Sequence, residues 1–364
     1  MPISFFKKKT KSCLGIDIGT ASIKIAQLKK QEEKFELETY GEISTKSYLE
    51  RLNDAFQVTS LKTLEAVTRE LLRVLLEKAE ANTRQAVMTI PVFSSFVSVV
   101  EVPEMAEKEL SHAIEFEARR YVPIPVSEVI LDWRIIEAGL IKDDISPRPF
   151  KGKRILLIAV PTEVINKYLK IADNLGLKIL ALELESFSLA RSLMSGDRSS
   201  ACILDIGARA SSFTIFDKGT IQMSHSLDIA GAEMTKSLSV GLGVASQRAE
   251  EFKVTFGLDH QENYERRKEI KELLHLPLEK IVDEIERMIL SYQMKTDRKI
   301  EKLILNGGSA SLVGLEDYIQ KRLNIKAVVA SPWSRVVYPT ALQLVLRKIG
   351  PEFSVAVGAA MREG

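Results

Sequence analysis

Two short segments carry the residue types needed to hold a phosphate chain and a hard cation. Asp17-Ile-Gly19 is followed by Thr20, Ala21 and Ser22, and Asp205-Ile-Gly207 by Ala208, Arg209 and Ala210. Alternating apolar runs precede them at Cys13–Ile18 and Ala201–Ile206, and follow them at Ile23–Leu28 and Ser212–Phe216. The order is strand, tight turn, strand, twice over. A turn that grips a phosphate needs inward backbone N–H groups and small side chains, which glycine and short hydroxyl residues supply. An aspartate at each strand end offers Mg²⁺ a hard oxygen, through water because Mg²⁺ keeps its hydration shell. One such hairpin is an ordinary turn; two at matching positions in two similar halves point to one cleft. Asp17 and Asp205 are then the metal-facing carboxylates, and Gly19, Thr20, Ser22, Lys24 and Gly207 belong to the phosphate cradle. Arg209 has two readings, a phosphate contact or a solvent-facing cation, and both stay open.

Two later segments complete the set. Glu250 and Lys253 stand three apart on a predicted helix and share a face, which alone reads as a solvated ion pair. Gly307, Gly308 and Ser309 sit where a strand opens into a helix, a place where a flat base can approach the backbone. A Walker-type phosphate loop is absent, and Gly241-Leu-Gly243 lacks the third glycine and preceding strand of a dinucleotide fingerprint.

The elements around these residues follow one plan used twice. Phe35–Tyr40 adds a third strand to an opening meander, and Thr63–Ala81 reads as a helix. Short strands follow at Ala86–Pro91 and Phe96–Val102. Lys108–Tyr121 reads as an amphipathic helix with Leu110, Ala113, Ile114 and Tyr121 on one stripe, stopped by Val122-Pro-Ile-Pro125. A strand is expected at Val129–Ile136, a solvent loop at Gly139–Lys153, and a parallel layer from Arg154–Val160, Thr162–Leu175 and Leu177–Leu184. The pattern restarts at Asp197, with helices from Ala230 to about Lys295 and a strand at Lys302–Asn306 leading to a helix at Leu312–Leu323. Internal duplication is the main architectural reading.

Composition narrows the class. The 364 residues hold 51 Lys and Arg against 49 Asp and Glu, a near balance that argues against nucleic acid as a partner. Two cysteines, Cys13 and Cys202, and four scattered histidines form neither a disulfide framework nor a zinc set, in keeping with a reducing cytoplasm. No segment approaches the roughly 18 apolar residues of a membrane span. Phe5-Phe6 with Lys7, Lys8, Lys9 and Lys11 reads as a solvated tail.

As an ordered set these motifs resemble the actin-like ATPase superfamily. Gly15–Lys24 is similar to its phosphate-1 motif, Leu204–Ser212 to phosphate-2 and Leu305–Gly314 to the adenosine motif, while Arg248–Lys253 matches the helix near ribose and adenine. Within the superfamily the chain resembles the PilM family of type IV pilus assembly proteins, on an inserted module at Val102–Leu110, Ile114–Pro125 and Val129–Trp133. Phe353–Met361 is similar to the family's closing helix.

The resemblance implies two RNase H-like domains around a nucleotide cleft, an α/β actin-like ATPase fold with a small α+β insertion. The expected division is 1–85 with 154–196, insertion 86–153, then 197–243 with 296–348, helical subdomain 244–295, and closing helix 349–364. It further implies ATP and Mg²⁺ in the cleft, and an N-terminal cytoplasmic peptide of the membrane protein PilN docked near Glu115, Tyr121 and Ile124. Other pilus assembly proteins are expected partners, the inner membrane an indirect one, with oligomeric state open. No residue at a motif-fixed position serves as hydrolytic base. Glu183 and Glu185 qualify by location only, with helix-cap or solvated roles competing, so hydrolysis is expected to be slow or absent. Alternatives are a small-molecule kinase of the superfamily and a filament-forming division protein like FtsA.

Overall fold

The computed structural model describes residues 12–45, 58–141, 150–258 and 265–362; the Lys-rich N-terminal stretch lies outside them. Strands β1 (Ser12–Ile18), β2 (Ser22–Gln31) and β3 (Lys34–Ser44) form an antiparallel meander. Leu14 and Ile16 alternate along β1, Ile23 and Ile25 along β2, and all four are fully buried. Helix α1 (Val58–Lys78) then leads to β4 (Gln85–Ile90), which lies parallel to β1.

The next segment leaves this sheet. Strand β5 (Phe96–Pro103), helix α2 (Glu107–Tyr121), β6 (Val129–Ile141) and β7 (Phe150–Pro161) build a small module, with β7 antiparallel between β5 and β6. Two sequence expectations change here. Most of the expected loop over 139–153 that is described is strand, since Gly139 pairs with Gly152 and Ile141 with Phe150; its Gly, Lys and Pro content masked a pairing that comes from backbone bonds. The run 154–160 is no parallel strand of the main sheet but the centre of the small one. The sequence boundaries at 86 and 153 therefore fall inside β4 and β7. Along α2 the buried residues are Leu110, Ile114, Ala118 and Val122, a strict i, i+4 stripe, and Tyr121 turns outward.

Helix α3 (Thr162–Asn174) returns the chain to β8 (Lys178–Leu184), parallel to β4, and α4 (Glu185–Met194) follows without a loop. The second half repeats the plan. Strands β9 (Ala201–Ile206), β10 (Ser211–Asp217) and β11 (Thr220–Leu227) form a meander, and helices α5 (Gly231–Leu242), α6 (Ser246–Phe256) and α7 (Glu265–Thr296) cover it. Then come β12 (Lys302–Asn306), α8 (Leu315–Leu323), β13 (Lys326–Val329) and the short β14 (Val336–Val337). The sheet orders are β14-β3-β2-β1-β4-β8 and β11-β10-β9-β12-β13. Without the edge strand β14 they are the same order, meander then two parallel strands, which is the duplication expected from sequence.

Helix α9 (Gln343–Ala360) closes the molecule. Its apolar face joins β1, β2 and α4, with Phe353, Ala356, Val357 and Ala360 buried. The fit is backbone-close: a Cβ on Gly15 would stand 1.9 Å from the Ala356 carbonyl oxygen, and one on Gly358 1.9 Å from that of Ser188.

Candidate nucleotide cleft

The two Asp-Ile-Gly turns are built alike. Asp17 faces Lys24 across the β1–β2 ladder, and Asp205 faces Ser212 across β9–β10. A Cβ on Gly19 would stand 2.9 Å from the Ser22 carbonyl oxygen, and one on Gly207 3.0 Å from that of Ala210. A side chain at Gly19 would force the backbone to shift, and one at Gly207 would press the Ala210 carbonyl, so both turns favour glycine at the same position. In the first turn Lys24 Nζ donates to Ser22 Oγ at 2.6 Å and pairs with Glu42 at 3.3 Å. The Thr20 carbonyl accepts from Thr45 Oγ1 at 2.7 Å, which ties the turn to the end of β3.

Asp17 is buried and Asp205 half-buried, and the charge of Asp205 acts on Asp17. Burial pushes the Asp17 carboxyl up to about 6, with Lys24 opposing and the Asp205 charge adding to the rise. Asp205 is raised by burial too, opposed by the Asn306 amide that donates to its Oδ1 at 2.9 Å and by Lys24. A third carboxyl joins them. Glu185, the first residue of α4, is raised well above the ordinary range by burial and by the charges of Asp17 and Asp205. Its Oε2 accepts from the Val92 N–H at 3.4 Å.

Three carboxyls from β1, β9 and α4 therefore share a region short of positive charge. Among the described residues no three His, Cys, Asp or Glu side chains could hold a metal directly.

The second half adds a connected scaffold. The Gly231 N–H donates to the Gly207 carbonyl at 3.1 Å, and the Ala232 N–H to that of Ala208 at 2.8 Å. Lys253 Nζ is buried, donating to the Gly231 carbonyl at 3.1 Å and Thr235 Oγ1 at 2.9 Å, and pairing with Glu250 at 2.8 Å. So the Lys253 end of the pair is buried while Glu250 stays partly exposed, and the lysine fastens α6 to the start of α5. Gly307 sits at φ 86°, and its Cβ would meet the Ile206 carbonyl oxygen at 2.5 Å and Asp205 Oδ1 at 2.6 Å. Only glycine fits that backbone and that approach. The Ser309 N–H bonds back to the Ile206 carbonyl at 3.2 Å, whereas a Cβ on Gly308 would meet nothing within 4 Å. The Gly307 N–H donates to the Pro351 carbonyl at 3.0 Å, so the closing helix braces this loop.

Some expected residues stand elsewhere. Arg209 is largely exposed, pairing with Asp228 at 3.4 Å and lying 5.4 Å over the Phe93 ring. Glu183 is no cleft residue: it accepts from Ser188 at 2.6 Å, from Arg191 at 2.7 and 2.8 Å, and from Arg362. Burial would raise its carboxyl, but the Arg191 bond and the other donors outweigh that and hold it low. Glu185, by contrast, belongs to the cleft, and only its place at the start of α4 hinted at that. On the insertion, Glu115 and Tyr121 are exposed and Ile124 is half-buried against the module's core. The surface around them includes Phe116, 65% exposed, which no sequence motif singled out.

The arrangement has relatives. A family model described as type IV pilus assembly protein PilM matches residues 15–364. A solved PilM-PilN type IV pilus biogenesis complex is similar over 96% of this chain and 98% of that one, at 22% identity and TM-score 0.79. A MamK mutant bound to AMPPNP is similar over 97% of this chain and 98% of that one, at 14% identity and TM-score 0.51. The cell division protein FtsA of Staphylococcus epidermidis is 20% identical, covering 94% of this chain and 77% of its own length. At these identities the structural likeness speaks to the fold, which is the α/β fold of actin-like ATPases. The match over nearly the whole chain places it in a family: it belongs to the type IV pilus assembly protein PilM family.

Proposed function

We propose that the chain is an ATP-binding scaffold of type IV pilus assembly that takes Mg·ATP in the cleft and a PilN peptide on its insertion. The observation that carries the nucleotide half is the placement of Asp17, buried, and Asp205, half-buried, at equivalent turns, with desolvation the largest cause raising each carboxyl. A divalent cation would relieve that cost, and phosphates would meet the N–H groups of two turns that favour glycine. Gly308, with no protein atom in reach of a Cβ, leaves room for a base beside Gly307. Bound Mg²⁺ supplies the charge that lets Asp17 and Asp205 ionise, and the residues' own task is to hold the phosphates between the halves.

Hydrolysis is slow on this reading. Glu185, the third carboxyl here, is raised well above the ordinary carboxylate range by burial and by the charges of Asp17 and Asp205. Activating a water needs a base fixed in position beside it, and no residue at a motif-fixed position supplies one. The protein thus works mainly by being closed or open, since a ligand touching both halves favours the closed arrangement.

The partner half rests on the α2 surface. Phe116 and Tyr121 are exposed aromatics on a module that the second half of the duplication lacks. A family member similar over almost the whole chain was solved with PilN. The scaffold would then sit at the inner face of the inner membrane through that partner. A fluorescent N-terminal PilN peptide titrated with wild-type protein should bind saturably. Tyr121→Asp should weaken it at least about tenfold, the scale of one well-placed aromatic anchor, without altering Mg·ATP affinity. Unchanged peptide affinity in both Tyr121→Asp and Phe116→Asp would remove this surface from the reading.

A further inference from the structure

Away from the cleft, four guanidiniums converge where the insertion meets the first half. A cavity of about 430 Å³ is lined by Arg134 of β6, Arg191 and Ser195 at the end of α4, Arg335, Phe35 and Arg362. We infer that this cavity binds a phosphate-type dianion, such as a small phosphomonoester, separately from the nucleotide cleft.

Charge is the first ground. Among the described residues the one carboxylate paired with these arginines is Glu183, which serves both Arg191 and Arg362. Arg134 and Arg335 have no carboxylate partner there. Four cations against one anion leave an excess of three, and a dianion offsets that better than a single carboxylate. Like charges brought together at the rim of a partly enclosed space cost free energy until an anion joins them.

Preorganisation is the second. Arg191 is fixed by Glu183 and by the Gly358 carbonyl at 2.6 Å. Arg335 is held by Ser195 Oγ, by the Glu33 carbonyl at 3.3 Å and by the Phe35 ring at 5.8 Å. Arg134 lies 5.7 Å over the Phe187 ring. Side chains already pinned lose little entropy on binding, and a guanidinium's planar fork matches phosphate oxygens in pairs. The volume suits a small molecule and lies at the lower end of ligand pockets, roughly 300–1,000 Å³. The cavity is distinct from the cleft because Glu185 and Arg191 stand at opposite ends of α4.

The test uses the whole chain saturated with Mg·ATP, so that phosphate cannot enter the cleft, and calorimetric titration with inorganic phosphate and with phosphoserine. Saturable binding is expected, falling at least tenfold in Arg134→Ala and in Arg335→Ala. Neither change strands a buried carboxylate, so both variants should unfold near the wild-type temperature. Absence of saturable binding by either probe would overturn the proposal, as would equal affinity in both variants. Tighter binding of a glutamate-rich peptide than of phosphoserine would overturn it too, because the site would then read an acidic protein segment. Failure of the nucleotide reading would show as no heat with Mg·ATP itself, leaving the phosphate titration interpretable.

Discussion

At Asp17, burial and the neighbouring carboxylates Asp205 and Glu42 pull in the same direction against Lys24 and the Thr89 hydroxyl. The folded protein therefore holds that proton more tightly than the unfolded chain does. The resulting stability is fully present below about pH 4 and is lost as pH rises through about 6. A shift of two pKa units corresponds to about 3 kcal/mol. In nucleotide-free protein Asp17→Asn should remove this loss, so unfolding free energies compared from pH 4 to 7 should shift in the variant's favour by up to that amount. A constant gap between variant and wild type would show that Asp17 titrates normally. The tight turns at Gly19 and Gly207, with Asp17 and Asp205 at the ends of the strands before them, were legible in sequence because each turn spans only a few neighbours. Glu185 was a candidate by location only, because its approach to Asp17 depends on β8 pairing with β4 from far along the chain. The roles of Arg209 and Lys253 were hidden for the same reason, their partners Phe93 and Gly231 being set by the fold.

Among the elements, the meanders were readable from their period of two, and the repeated sheet order follows from the duplication. The pairing of β6 with β7 was not readable at 139–141 and 150–153, where Gly and Lys break the apolar alternation while the backbone ladder continues. Helix α9 carries more than its apolar composition suggests. It packs against β1 and α4 at backbone distance and accepts from Gly307 at the cleft. Gly358→Ala should therefore push α9 off α4 and cost about 1–3 kcal/mol, the usual penalty of overpacking, readable as a lower urea midpoint. It should also weaken nucleotide binding, since the Gly307 loop loses its brace. Wild-type stability in this variant would mean that α4 yields easily.

For the molecule as a whole, two similar halves present equivalent turns to one cleft, and the insertion interrupts the first half only. That asymmetry sets the three-stranded module apart from the sheet plan that the two halves repeat. The cavity of arginines lies at the far end of the helix that begins with Glu185. The central claim is that Asp17 and Asp205 jointly hold Mg·ATP between the halves. Calorimetric titration of Mg·ATP into wild type, Asp17→Ala and Asp205→Ala tests it most directly. The account predicts saturable 1:1 binding, weakened at least about tenfold in each variant, which corresponds to about 1.4 kcal/mol. Equal affinity in all three proteins would contradict it.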